Sequence, residues 1–287
     1  MKCYICNSSQ FTRRRGEVRD SDELAIFECN DCGLVSLDSV DHVGSKFYED
    51  SGMHGDDIIP VEDWIKETRS DDQRRFEQLK PLLANKRVLD FGCGAGGFLL
   101  NANSLAAEVV GVELESRVRR FYENSEITIL SSIEDAARIA GSSKFDVISA
   151  FHVVEHLPDP REVLKKLGTM LTPDGRMIIE VPSAEDALLT LYNCHAFQRF
   201  TYWSQHLYLF TAPTLASLLK QAGLQVISIQ HYQRYPLSNH LHWLSKSKPG
   251  GHQSWSFLDN PALTHAYAEV LASIGKTDTL IAHVEKR

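Results

Sequence analysis

Residues 87–100 read Arg-Val-Leu-Asp-Phe-Gly-Cys-Gly-Ala-Gly-Gly-Phe-Leu-Leu, and this stretch decides the fold. A short apolar run between Val88 and Phe91 ends in four glycines, after which apolar residues recur at helical spacing. The pattern predicts a strand, a tight turn and a helix. Gly92 and Gly94 let the backbone turn sharply and let a ligand lie against it, while the helix that follows offers free N–H groups. A polar ligand is therefore expected at this turn.

The glycine turn alone does not identify its ligand, because phosphate-binding turns share the same geometry. Asp90 stands at the entry to the turn, and the next predicted strand ends in Glu113, whose carboxylate can accept hydrogen bonds from ribose hydroxyls. An acidic group beside the loop repels a pyrophosphate and suits a cationic ligand. These residues disfavour the main alternative, a dinucleotide-binding oxidoreductase.

The order Asp-Phe-Gly-Cys-Gly-x-Gly, followed by an acidic strand end, resembles the nucleoside-binding motif of class I S-adenosylmethionine-dependent methyltransferases. The resemblance implies that Gly92 and Gly94 pack on the amino-acid portion of S-adenosylmethionine. It further implies that Asp90 organises the loop and that Glu113 holds the ribose. S-adenosylmethionine is thus the expected cofactor.

Strand and helix patterns alternate along the rest of the chain, which predicts an α/β fold with a parallel sheet covered on both faces. The predicted helices are 116–124, 133–140, 160–171, 212–222 and 261–274, and the predicted strands are 127–130, 145–150, 176–181, 224–231 and 279–285. The resemblance implies a Rossmann-like sheet of seven strands whose last strand is antiparallel. It also places adenine contacts at Ile133 and Glu134, although Glu134 equally suits the start of a helix.

Four of the six cysteines form two pairs, Cys3 with Cys6 and Cys29 with Cys32, separated by 22 residues. Two residues between thiolates allow a tight knuckle to direct both sulfurs at one metal ion, and two knuckles complete a tetrahedron. Disulfides are the alternative, but nothing in the sequence marks a secreted protein. We predict a structural zinc ion in a zinc-ribbon or knuckle module over residues 1–40, where the metal compensates for a small core.

The predicted domain organisation has three parts. The zinc module is followed by a linker and helical cap over residues 41–84 and by the methyltransferase domain over residues 85–287. In methyltransferases of this class a helical segment precedes the first strand and lies over the cofactor. The candidates for ligand contact in that segment are Tyr48, Trp64 and Arg75.

The fourth predicted strand of the sheet leads into Phe-His-Val-Val-Glu-His-Leu-Pro-Asp-Pro at residues 151–160, at the edge where ligands bind in open α/β sheets. This segment resembles the methyltransferase signature in which a Val-Leu-Glu-His type sequence follows the fourth strand. The resemblance makes Phe151 and His152 candidates for cofactor contact. A metal site that includes His152 is disfavoured, because the adjacent Glu155 and His156 would point apart on a helix.

Two insertions, residues 183–208 and 232–260, leave the sheet from the same carboxyl edge and are predicted to form the acceptor pocket. Both are rich in aromatic and histidine side chains, which suit a polar, ring-shaped acceptor such as a sugar. The residues that we expect to bind the acceptor are Tyr202, Trp203, Tyr235, Asn239 and His240.

The stretch Trp-Ser-Gln-His-Leu-Tyr-Leu-Phe-Thr at residues 203–211 resembles a Tyr-x-Glu-His-aromatic-Phe-Ser segment of zinc-containing sugar C-methyltransferases, which also begin with a four-cysteine module. The resemblance implies that His206 is the general base, and His152 is the second candidate. Gln205 and Trp203 replace the glutamate and tyrosine of that family. These departures favour a hydroxyl over a carbon as the methylated atom.

The charge and length of the chain restrict its partners. The net charge of the 287 residues is −8, and the stretch 20–63 holds thirteen acidic residues and one lysine, a surface that repels nucleic acid. The apolar runs are too short to enter a membrane, and residues 1–20 lack a secretory signal, which predicts a cytoplasmic protein. We expect methyl transfer to a sugar hydroxyl of a nucleotide-sugar, polysaccharide or natural-product pathway. The alternatives are sugar C-methylation, methylation of RNA or protein, and a noncatalytic binding module.

Overall fold

The computed structural model describes residues 1–43 and 59–287, which form two β-sheets and eleven α-helices within those ranges. The strands are β1 (Phe11–Arg13), β2 (Ile26–Cys29), β3 (Val35–Leu37), β4 (Arg87–Phe91), β5 (Glu108–Val112), β6 (Thr128–Leu130), β7 (Phe145–Phe151), β8 (Leu171–Pro182), β9 (Tyr208–Leu209), β10 (Leu224–Tyr232) and β11 (Thr279–Lys286). The helices are α1 (Val61–Leu83), α2 (Gly97–Ala102), α3 (Ser116–Tyr122), α4 (Ile133–Ser142), α5 (Pro160–Met170), α6 (Ala187–Thr190), α7 (His195–Thr201), α8 (Ala212–Gln221), α9 (Leu237–Lys246), α10 (Gly251–Ser254) and α11 (Pro261–Ser273).

The large sheet has seven strands in the order β10-β11-β8-β7-β4-β5-β6. β4 pairs in parallel with β5 and β7, and the parallel pairing continues outward to β6 and β8. β11, the final strand, runs antiparallel between β8 and β10. The predicted α/β Rossmann-like sheet with an antiparallel last strand is therefore confirmed, and the carboxyl ends of its central strands meet at one edge.

Burial of the central strands on both faces explains why they form the middle of the sheet. Val88 and Leu89 on β4 and Ile148 on β7 are fully buried, as expected for parallel strands covered by helices. Thr211 caps α8 in a capping box. The cap segment forms a single helix, α1, with Pro81 in its last turn, where the missing N–H costs one intrahelical hydrogen bond. In the described ranges no helix has the length and apolar character needed to span a bilayer.

The small sheet joins the N-terminal cysteine-containing segment to the rest of the fold. Its order is β1-β2-β3-β9, and β9 comes from the end of the insertion at residues 183–208. Val35 pairs with Leu209 and Ser36 with Tyr208, both antiparallel. The first insertion thus supplies an edge strand to the N-terminal sheet, a role that its sequence does not reveal.

Two aromatic residues of this insertion anchor the N-terminal module. Tyr202 is 3% exposed, and its carbonyl accepts a hydrogen bond of 2.9 Å from the Arg19 amide. The Arg19 guanidinium lies over the Trp203 ring at 4.2 Å, a cation–π contact. Gly16 has a φ of 121°, and a Cβ at that position would lie 2.7 Å from the Tyr202 ring. The module therefore packs closely against residues that the sequence places in the acceptor pocket.

Replacement of Gly16 by alanine tests this contact. Gly16→Ala forces the buried Tyr202 ring to move, and we expect a loss of about 1–3 kcal/mol in the free energy of unfolding beyond the backbone cost. Gly33→Ala is the matched control, because Gly33 also has a positive φ, 78°, but a Cβ added there would meet no atom within 4 Å. Urea titration of both variants measures the difference. Equal losses in the two proteins would contradict the packing role of Tyr202.

Candidate functional site

A cavity of about 830 Å³ opens at the carboxyl edge of the large sheet, within the usual size range of small-molecule sites. Its described walls come from the turns after β4, β5, β6 and β7, from α1, and from the residues after β10. The predicted cofactor residues that line it are Asp90, Gly92, Gly94, Glu113, Ile133, Glu134, Phe151 and His152. The structure thus brings together the residues that the sequence assigns to S-adenosylmethionine.

Two glycines keep the turn after β4 free of side chains. Gly92 has a φ of 72°, and a Cβ there would lie 2.3 Å from the Val153 side chain. Gly94 has a φ of 52°, and a Cβ there would lie 3.2 Å from the Trp64 ring. Both positions combine a left-handed backbone with a close neighbour, so each requires glycine.

Glu113 ties the end of β5 to the glycine turn. Its Oε2 accepts a hydrogen bond of 2.9 Å from the Gly94 amide, and its Oε1 accepts one of 3.0 Å from the Glu115 amide. Burial raises the pKa of Glu113 against these two hydrogen bonds, which lower it. Each carboxylate oxygen has a second lone pair that can accept a ligand hydroxyl. The carboxylate therefore holds the turn and still faces the cavity.

Two further carboxylates make this end of the cavity acidic. Asp90 is 2% exposed and accepts a hydrogen bond of 2.7 Å from Ser149, and burial raises its pKa to about 7. Asp72 on α1 is also buried, accepts a hydrogen bond of 2.7 Å from Thr68, and has a raised pKa because of burial. A cationic ligand favours the charged form of both groups. This end of the site therefore suits a sulfonium or an ammonium group.

Helix α1 covers the cavity. Trp64 and Arg75, which the sequence predicts as ligand contacts, line it, and the Arg75 guanidinium lies 4.6 Å over the Phe151 ring. Tyr48, the third candidate, falls outside the described residues. Asp72 is not predicted from the sequence. Gly97 leaves room for the Asp72 carboxylate, because a Cβ at Gly97 would lie 2.2 Å from an Asp72 oxygen.

The turn after β6 forms the wall that the resemblance assigns to adenine. Ser131 and Ser132 line the cavity beside the two predicted residues, Ile133 and Glu134. Ser132 caps α4 by accepting a hydrogen bond of 3.1 Å from the Asp135 amide. The Glu134 carboxylate forms an ion pair with Lys166 of α5. Ile133 is the apolar residue of the predicted pair. Adenine contact here remains a prediction.

His152 also lines the cavity and lies between two buried carboxylates. Its Nδ1 is 3.2 Å from Oε1 of Glu155, and its Nε2 is 3.1 Å from Oε1 of Glu180. Arg234 places a guanidinium nitrogen 3.0 Å from the same Nε2. Burial and Arg234 lower the pKa of His152, but the hydrogen bonds to the two carboxylates raise it more, so the pKa lies above its ordinary value.

The backbone of His152 is strained and its side chain is held in place. Its φ of 55° is left-handed, which is uncommon for a residue other than glycine and typical of functional sites. Glu180 accepts hydrogen bonds of 2.9 Å from Arg74 and 2.8 Å from Arg75, and these cations help to hold its pKa well below the usual range. Glu180 is missed by the sequence analysis, although an acidic residue at the end of an apolar strand is a usable signal.

The profile of a protein family described as a methyltransferase domain matches residues 67–229. The chain belongs to this family. A relative, a ubiquinone biosynthesis O-methyltransferase of Xanthomonas axonopodis pv. citri, is 31% identical over 183 residues, which is 58% of this chain and 73% of the relative. The protein is thus a class I S-adenosylmethionine-dependent methyltransferase.

Solved structures share the methyltransferase fold. One is a 1,6-didemethyltoxoflavin-N1-methyltransferase of Burkholderia thailandensis, solved with S-adenosylhomocysteine. It matches with a TM-score of 0.53 at 15% identity, and the match covers 95% of this chain and 99% of the Burkholderia chain. A SAM-dependent methyltransferase of Archaeoglobus fulgidus has a TM-score of 0.51 at 20% identity, covering 76% of this chain and 94% of its own. At these identities the likeness supports the fold alone.

The predicted acceptor residues of the methyltransferase are not among the described residues that line the cavity. Asn239 and His240 are buried in α9, where His240 Nδ1 is 2.7 Å from the Tyr267 hydroxyl. Tyr235 is 39% exposed and lies beside another histidine ring. Tyr202 and Trp203, the two candidates from the first insertion, contact Arg19 of the N-terminal module. The second insertion instead contributes Arg234 to the described wall.

His206 lies behind the described cavity wall. Its Nδ1 is 2.8 Å from the Thr201 carbonyl, and burial, with the neighbouring His156, lowers its pKa to about 4. Residues Val154–His156 form a 3-10 turn, and ligand atoms of Glu155 and His156 lie within 4.8 Å of each other and of a ligand atom of His206. The sequence argument that Glu155 and His156 point apart assumed an α-helix and is wrong for this turn.

The four N-terminal cysteines of the methyltransferase converge. The sulfurs of Cys3 and Cys32 are 3.5 Å apart, as are those of Cys6 and Cys29, and all four lie within 4.8 Å of one another. The four are free thiols, so the disulfide alternative is not observed. Tetrahedral zinc with bonds of about 2.3 Å to sulfur needs sulfurs about 3.8 Å apart. The cluster fits such an ion.

Substitution of Glu113 tests the cofactor end of the site. We expect Glu113→Ala to weaken binding of S-adenosylmethionine by about 1–3 kcal/mol, because the variant loses a hydrogen-bonding carboxylate and loosens the Gly94 turn. Calorimetric titration measures the affinity. Glu108→Ala, at the exposed start of the same strand, is the control and should bind as the wild type does. Equal affinities in all three proteins would remove Glu113 from the site.

Proposed function

We propose that this methyltransferase transfers a methyl group from S-adenosylmethionine to a hydroxyl oxygen of a polar small molecule, with His152 as the general base. One observation carries the proposal. His152 lines the same cavity as the glycine turn and Glu113, so the residues proposed to hold the cofactor and the basic group share one cavity. The name of the Xanthomonas relative, an O-methyltransferase, supports oxygen as the methylated atom.

The acidic residues of the cavity select the methyl donor. When bound, S-adenosylmethionine supplies a methyl group that is already activated by the sulfonium. Asp72, Asp90 and Glu113 surround the glycine turn with carboxylates, which stabilise a cation and disfavour an anionic cofactor. The chain itself then has two tasks, to align the acceptor oxygen and to remove its proton.

His152 suits the removal of that proton. A neutral imidazole accepts a proton and becomes an imidazolium, which Glu155 and Glu180 stabilise through the contacts described above. These two carboxylates also fix the ring in one orientation. Because they raise the pKa of His152, the neutral ring is a stronger base than a free histidine.

We propose a sugar hydroxyl as the first acceptor class to test. The cavity has a polar end, where Asp71, His152 and Arg234 offer both donors and acceptors to a polyhydroxylated ring. The converging cysteines support the resemblance to zinc-containing sugar methyltransferases. The aromatic residues that favoured a sugar in the sequence lie elsewhere in the described fold, so the proposal now rests on the polar end. Sugar C-methylation is the alternative within this class.

We also propose that the N-terminal cysteines hold a structural zinc ion. Four thiolates fill a tetrahedral shell and leave no position for a substrate. The ion would fix the knuckle that precedes β1 to the knuckle between β2 and β3, in a sheet whose N-terminal strands are three or four residues long.

Transfer of a labelled methyl group tests the proposed function. We expect label from S-adenosylmethionine to appear in at least one compound of a panel of nucleotide-linked sugars and hydroxylated aromatic compounds. Mass spectrometry of the product then distinguishes an oxygen-linked from a carbon-linked methyl group. Label recovered only in RNA or protein would overturn the small-molecule proposal.

His152→Asn tests the general base. Asparagine tolerates the left-handed backbone at this position, so the fold should persist. We expect kcat to fall about 10²–10⁴-fold while affinity for S-adenosylmethionine stays within about twofold, because only proton transfer is lost. His265→Asn, on the exposed face of α11, is the control.

The pH profile gives a second readout of the same role. A general base must be unprotonated, so kcat of the wild type should rise with pH and level off above the raised pKa of His152, which lies above 6.5. His152→Asn should lack this rise. A full rate in the variant, or the same pH profile in both proteins, would exclude His152 as the base.

A further inference from the structure

Three side chains outside the cysteine cluster form a compact group of nitrogen and oxygen ligands. Glu155 and His156 belong to the 3-10 turn after β7, and His206 precedes β9. One carboxylate oxygen and two ring nitrogens from these residues lie within 4.8 Å of one another. We propose that these three residues, the His-Glu cluster, bind a divalent transition-metal ion that is distinct from the zinc proposed for the N-terminal module.

The hydrogen bonds of the two histidines orient their rings as metal ligands. His156 Nδ1 is 2.8 Å from the Gln205 carbonyl, and His206 Nδ1 is 2.8 Å from the Thr201 carbonyl. A carbonyl only accepts, so each Nδ1 carries the proton, and in a neutral ring Nε2 then carries the lone pair. Histidines that bind metals commonly donate their other N–H to a carbonyl or a carboxylate in this way.

Glu155 supplies the observation that calls for a cation. Its side chain is fully buried, and within the described part of the chain Oε2 has no hydrogen-bond partner. The other oxygen, Oε1, accepts from His152 at 3.2 Å and lies 4.0 Å from His156 Nε2, which is too far for a hydrogen bond. A buried carboxylate oxygen without a partner is costly. A cation between the three side chains removes that cost.

The donor set indicates the kind of ion. Two imidazoles and one carboxylate suit first-row ions such as Zn²⁺, Fe²⁺ or Co²⁺, whereas Mg²⁺ and Ca²⁺ prefer oxygen ligands. Three protein ligands leave at least one coordination position open. Zinc bonds of about 2.0–2.2 Å to nitrogen and oxygen place tetrahedral ligands about 3.4 Å apart, so small side-chain movements complete the site.

The His-Glu cluster adjoins the proposed base. Glu155 contacts His152 through Oε1, and both His152 and His156 line the large cavity. A bound ion would therefore fix the carboxylate that orients His152. His206 is then a metal ligand and not a second base, which accounts for its position behind the described cavity wall.

Cobalt provides the test, because its absorption spectrum distinguishes ligand types. Purified full-length protein is saturated with Co²⁺, and bound metal is counted by elemental analysis after removal of free ion. Cobalt at four thiolates shows sulfur-to-metal charge-transfer bands, whereas cobalt at nitrogen and oxygen shows d–d bands alone. We expect the wild type to bind one more metal ion per chain than Glu155→Gln or His206→Gln, and to show d–d absorption from a nitrogen and oxygen site that these two variants lack.

Controls make each outcome decisive. His265→Gln changes an exposed histidine of α11 and should match the wild type. Equal metal content in all four proteins would overturn the proposal and favour an imidazolium that donates to Glu155. For variants that fail to fold, anomalous diffraction from wild-type crystals saturated with Co²⁺ replaces the comparison. A peak between the three side chains supports the site, and no peak there overturns it. Neither measurement uses an acceptor, so both are independent of the proposed methyl transfer.

Discussion

Parallel pairing of β4 with β5 and β7 is the constraint on which the rest of this structure depends. Asp90 pairs in register with Gly111 on one side and Ser149 on the other, so three strands end at nearly the same level. The glycine turn, Glu113 and His152 each follow one of these strand ends. They occupy one cavity because of this register and not because of any local preference, and a shift in pairing would separate them.

Charge burial is the second organising feature. Carboxylates at the glycine turn are buried with few cationic partners, and the pKa of Asp90 is raised to about 7 as a result. Glu180, in contrast, is buried beside Arg74 and Arg75 and keeps its charge. The buried carboxylates therefore differ in kind, since burial raises the pKa of Asp90 whereas the protein's own cations neutralise Glu180.

The sequence predicts the sheet well, and it predicts which residues meet at the glycine turn, because both depend on short-range patterns. Strand and helix periods, the glycines after β4 and the acid after β5 all lie within a few residues of the feature that they specify. Contacts between distant parts of the chain are predicted poorly. Glu180 contacts α1 from a distant part of the chain, and Tyr202 packs on Gly16, contacts that no local pattern encodes. The prediction that the Glu155 side chain points away from His156 was wrong for a related reason. The residue types at 154–156 do not distinguish a 3-10 turn from an α-helix.

The pairing of β3 with β9 has a consequence for how the chain folds during synthesis. Val35 leaves the ribosome long before its partner Leu209, with most of the large sheet made in between. Until then β3 is an open sheet edge, which invites pairing with other chains, and closing it requires one of the longest loops in the protein. The N-terminal sheet can therefore reach its final form only after the large sheet has largely emerged, so strands that are made before the large sheet are completed after most of it.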